Sequence, residues 1–100
     1  MTNNLDIFEQ LLLADDGLLT SLRLGYGLKK DKVESVCDIL EKLSEEWRGE
    51  NSIPKKAVDL FIDFYPTIES ACGLYSENEA INIMDAADKI MDLIRECVIS

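Results

Sequence analysis

The sequence predicts an all-α fold, a four to five helix bundle forming a single domain over residues 1–100. Apolar residues recur at spacings of three and four in every long segment, which is the helical period rather than the alternation of strands. The two prolines and five glycines are few, and no stretch is of low complexity. Hydrophobic residues make up 47% of the chain, enough for one modest core at a length that buries roughly 65% of its unfolded surface.

The first segment carries Leu5, Ile7, Phe8, Leu11 and Leu12, then Leu18, Leu19 and Leu22. A single helix through all of these sets Asp15 in the middle of the apolar stripe, where an unpaired charge costs several kcal/mol. A break at Asp15, Asp16 and Gly17 is therefore expected, with either Asp capping a short second piece. Gly25 and Gly27 follow as helix-ending residues. They do not follow a strand, so they do not build a phosphate-binding loop. The nearby Arg23, Lys29, Lys30 and Lys32 form the basic cluster of the chain. They read as charges that complement a helix C-terminus and offset local acid.

A second helix is expected from a cap at Asp31 to about Arg48, burying Val33, Val36, Cys37, Leu40, Leu43 and Trp47, with Gly49 as its stop. The third begins near Pro54, which suits a first turn, and buries Ala57, Val58, Leu60, Phe61, Phe64 and Tyr65. Pro66 has no N–H for the carbonyl of Ile62, so a kink or break is expected there, with Thr67 to Cys72 as a further turn or two before Gly73. The last helix opens on a capping box, Ser76 with Glu79. It continues to the C-terminus with Ala80, Ile83, Met84, Ala87, Ile90, Met91, Ile94, Cys97 and Val98 at helical spacing.

Composition excludes several functions. The formal net charge is -10, and nucleic acid and anionic membrane both repel such a surface, because their binding rests on Lys and Arg. The N-terminal ten residues lack the basic and apolar regions of a signal peptide, and no apolar run approaches the roughly 20 residues that cross a bilayer. Cys37, Cys72 and Cys97 are widely spaced and odd in number. Reduced thiols in the cytoplasm fit that pattern.

The chain contains no His, and so lacks the usual general base near neutral pH, the usual activator of Ser or Cys, and the commonest zinc ligand. The cysteines fall on apolar faces, where burial makes a thiol inert. Asp85, Asp88, Asp92 and Glu96 are spaced to share a helix face, but that face is opposite the core, unlike the carboxylates of a di-iron bundle. No cofactor, metal or catalytic residue is expected, and the chain reads as a non-enzyme.

The placement of acid is the informative signal. Glu34, Asp38, Glu41 and Glu45 form one stripe on the second helix; Asp85, Asp88, Asp92 and Glu96 form another on the last. Like charges one turn apart destabilise a helix by about 0.2 to 0.5 kcal/mol per pair, so something outside the helix is expected to offset them. From Ala57 onward nine acidic and two basic residues occur, and one face is expected to be strongly negative. Ile81 shares a phase with Asp85 and Asp88, and Ile62 lies beside Asp59 and Asp63. Each is read either as helix packing or as an apolar anchor ringed by charge, the pattern of an interface hot spot.

The stretch from Pro54 to Cys97, with Val58-Asp59-Leu60-Phe61-Ile62-Asp63-Phe64-Tyr65-Pro66 and Asp85-Ala86-Ala87-Asp88, resembles small helical bacterial immunity proteins, the partners of secreted toxins. The Phe64-Tyr65-Pro66 segment is similar to a Tyr-Tyr-Pro that contributes to toxin binding in colicin DNase immunity proteins. The resemblance implies stoichiometric blockade of a basic toxin domain, a nuclease among the candidates, by an acidic surface. Asp85, Asp88, Asp92, Glu96, Ile81, Asp59, Asp63 and Tyr65 are the residues expected to meet that partner, although the helical phase of Tyr65 also suits the core. The competing reading is an adaptor or regulator that docks a partner helix in an apolar groove, or a homo-oligomer.

Overall fold

The structure is a computed structural model, described for residues 3–99; the ends of the expected 1–100 domain lie outside the described residues. Five α-helices and one 3-10 turn follow in order: α1 (Asn4–Leu13), α2 (Leu18–Arg23), α3 (Lys30–Glu46), α4 (Lys55–Ala71), the 3-10 turn Cys72–Leu74, and α5 (Glu77–Ile99). This is an all-α bundle. The longest helices, α3 and α5, pack against each other; α1 lies on α3, α2 on α4, and α4 on α5.

Local sequence explains most of the boundaries. The Asn3 side chain accepts a hydrogen bond from the Asp6 amide at 2.8 Å and caps α1. α1 stops at Leu13 and leaves Asp15 and Asp16 in solvent, which removes the charge from the apolar stripe. Neither Asp caps the next helix. Gly17 holds the N-cap position of α2, with no side-chain bond, because any side chain there collides with the preceding turn: a Cβ would lie 2.5 Å from the Leu12 carbonyl oxygen. Asp16 is instead paired with Lys32 at 3.3 Å.

α3 starts two residues earlier than a cap at Asp31 requires: Lys29 is the N-cap, again with no side-chain bond, and Asp31 sits in the first turn. There its charge complements the helix dipole rather than closing the backbone. Past Trp47, Gly49 takes φ +79, a left-handed conformation that favours glycine and turns the chain towards α4. The Ser76 hydroxyl accepts from the Glu79 amide at 3.2 Å and starts α5.

The expected break at Pro66 does not occur, and α4 is one helix of 17 residues through that position. Both Pro66 and Ile62 are exposed, so the carbonyl that loses its partner faces water. Phe64, Ile68 and Ala71 meanwhile carry the buried stripe of Ala57, Leu60 and Phe61 past the proline. Burial of that stripe outweighs one missing hydrogen bond.

The core is one cluster drawn from all five helices, with Phe8, Leu12, Leu40, Leu43, Phe64 and Ile90 among its fully enclosed members. Phe61 meets Phe8 and Trp47 edge to face, at ring separations of 5.8 and 6.4 Å. The Cys97 thiol donates to the Leu40 carbonyl at 3.3 Å and ties the end of α5 to the middle of α3. Three residues expected inside lie on the surface: Ile7, Val58 and Val98 are 36, 41 and 57% exposed. Each flanks the buried stripe of its helix.

Candidate functional site

The acidic stripe of α5 lies on the ridge between two grooves, and its members are divided between them. On the α3 side, Glu34, Cys37, Asp38 and Glu41 face Lys89, Asp92 and Leu93 across a hollow of about 410 Å³. A smaller hollow of about 220 Å³ extends it through Glu41 and Leu93 to Glu45, Arg48 and Glu96. The two stripes therefore meet along this groove, with Lys89 and Arg48 among them.

On the other side, between α4, the 3-10 turn and α5, a hollow of about 470 Å³ is walled by Cys72, Ala80, Ile81 and Met84 and rimmed by Glu69, Glu77 and Asp85. No Lys or Arg lines it among the described residues. Its wall is mainly apolar and its rim wholly acidic. Ile81 is 54% exposed, midway along α5 between Glu77 and Asp85, one helical turn from each.

Tyr65 does not line this hollow but lies within electrostatic reach of two residues that do, Glu69 and Cys72. It is half-buried against the core, and burial raises its phenol above the ordinary range, with Asp88, Glu69 and Cys72 pushing in the same direction. Asp88 therefore acts on the α4 side of the ridge. Of the eight residues expected from the sequence, Ile81 and Asp85 line the α4/α5 hollow, Tyr65 and Asp88 lie near each other outside its lining, and Asp92 and Glu96 are on the α3 side. Asp59 and Asp63 are exposed on α4, in neither groove. Glu69 and Glu77 had no expected role, and Cys72, expected to be buried in the core, is only half-buried and lines the hollow; they come from the far end of α4, the first turn of α5 and the turn between, and only the corner of the chain there joins them to Ile81.

Another residue without an expected role, Tyr75, fixes that corner. Its hydroxyl donates to the Leu22 carbonyl at 2.8 Å and accepts from the Gly27 amide at 3.0 Å. One side chain thus binds the 3-10 turn to the end of α2 and the loop before α3.

The site's chemistry is recognition by charge and apolar contact. Burial raises the Cys37 thiol, a rise opposed by Lys89 and reinforced by Asp38, Glu41 and Glu34. Burial, with a smaller contribution from Glu96, pushes the Cys97 thiol up to about 11. Neither is an activated nucleophile. Among the described residues, no group of three or more His, Cys, Asp or Glu is gathered to hold a metal ion, and no helix is long and apolar enough to cross a membrane. No family model, curated protein or solved structure matches the chain.

Proposed function

We propose that this is a non-enzymatic binding protein of the bacterial cytoplasm that neutralises a basic toxin domain, such as a nuclease, by occupying its substrate-binding surface one to one. The observation that supports this reading is the apolar hollow at Ile81 and Met84 rimmed by Glu69, Glu77 and Asp85 without a lining cation. An apolar wall supplies the lifetime of a complex, and uncompensated acid around it speeds approach of a basic surface and rejects acidic ones. The carboxylates of the α5 ridge extend the same field to the α3 side.

The test is growth protection. Expression of the reading frame that adjoins this gene in its native genome should arrest a host cell, and co-expression of this chain should restore growth. A variant with Asp85, Asp88, Asp92 and Glu96 changed to Asn and Gln should restore it less. An adjoining frame without effect on growth, or an arrest that the chain does not relieve, counts against the proposal.

A further inference from the structure

The geometry points to the α4/α5 hollow as the seat of one amphipathic helix of the partner, bearing a single long aliphatic side chain with Lys or Arg one turn to either side. This rests on the reading of the protein as a binder of a basic domain, and it names the segment recognised and the face that recognises it.

Three features determine the occupant. Glu77, Ile81 and Asp85 follow one another at intervals of four on α5, so an exposed aliphatic side chain is bracketed by carboxylates over about 12 Å of helix. A partner helix laid along α5 repeats that spacing, with an aliphatic anchor against Ile81 and Met84 and a cation over each carboxylate. Glu69 on α4 closes the third side, so a cation on the flank of that helix also finds a carboxylate. Second, the hollow has no cation of its own, whereas Lys89 and Arg48 line the α3/α5 groove. A basic segment therefore gains more on the α4 side. Third, both walls are helices, whose backbone hydrogen bonds are made internally. An extended peptide finds no strand edge to pair with and would leave its own amides unsatisfied; a helix arrives with its backbone already paired.

The probe is a synthetic, terminally blocked helical peptide of Ala and Lys with one central Leu and a Lys four residues to each side, titrated into the full chain labelled at Ile, Leu and Met methyls. Saturable shifts at Ile81 and Met84 are expected, and replacing the central Leu by Ser should weaken binding at least tenfold. In the protein, Ile81→Ser and the pair Glu77→Gln with Asp85→Asn should each weaken it at least fivefold with unchanged melting temperature. Asp15→Asn with Glu50→Gln, two exposed carboxylates in neither groove, should leave it within twofold. Shifts centred on Leu93, equal binding of the Ser peptide, no saturable shift, or a hollow already closed by a second copy in sedimentation would each overturn the assignment. The two proposals fail separately. Growth protection undiminished by Ile81→Ser removes the seat and keeps the toxin reading; a seated peptide without growth protection does the reverse.

Discussion

Cys72 and Cys97 are the same residue in opposite settings. Cys97 is 2% exposed, donates to the Leu40 carbonyl and has its thiol raised by burial, whereas Cys72 is half-buried on the wall of the α4/α5 hollow. A thiol reagent added to the native protein should modify Cys72 first and reach Cys97 only on unfolding, as mass spectrometry of labelled peptides will show. The raised thiol also gives a pH dependence. The folded state keeps the Cys97 proton where the unfolded chain releases it, so this contribution is complete below about pH 9 and is lost as pH rises towards about 11. On the order of 2 kcal/mol is at stake, and urea titrations of Cys97→Ala should show a shallower alkaline decline than the parent. Apolar spacing alone placed Cys97 inside. Tyr75 shows the limit of such reasoning, because its two hydrogen-bond partners are some fifty residues away. Tyr75→Phe leaves the Leu22 carbonyl and Gly27 amide without this partner and should cost about 1 to 2 kcal/mol in urea unfolding, with a near-native helical spectrum.

For single elements, hydrophobic period was the more reliable signal, while end chemistry was right at Ser76 and Gly49 but not at every end. The stripes of α3, α4 and α5 were legible because burial repeats with every turn, while the caps at Asp15, Asp16 and Asp31 were misassigned. A side-chain cap contributes only about 1 kcal/mol, so packing on either side can move a boundary by a residue or two at little expense. The same balance explains Pro66, where the stripe on both sides outweighs one lost bond on the solvent face. Pro66→Ala restores that bond and should raise the melting temperature, by about 1 kcal/mol or more in stability, with helical ellipticity unchanged or slightly higher. Ala87→Pro is the opposite case: Ala87 is fully buried in mid-α5, so the ring disrupts the ladder and the α3/α5 packing together. A loss above about 3 kcal/mol is expected, enough to unfold a domain of ordinary stability, and circular dichroism should show it.

Over the whole molecule, the feature that sequence alone did not yield is the division of the acidic stripe. A helical wheel shows Asp85, Asp88, Asp92 and Glu96 as one face; only the positions of α3 and α4 show that the face is a ridge, with a cation-bearing groove on one side and a cation-free hollow on the other. Neutralising all four ridge residues to Asn and Gln should leave the fold as stable or slightly more so, because repulsion along α5 is relieved. Binding to a basic partner should weaken in the same variant. The loss should appear mainly as slower association at low salt and shrink as ionic strength rises, since steering by rim charges is screened over about 8 Å in physiological salt. Changing Glu34, Asp38, Glu41 and Glu45 in the same way removes a comparable number of charges from the α3 side and should slow association less. Stopped-flow rates for the three proteins across a salt series distinguish the cases. Equal slowing by both quadruple variants would mean that net charge alone steers the encounter, and no slowing by either would leave the acid as a solubilising surface.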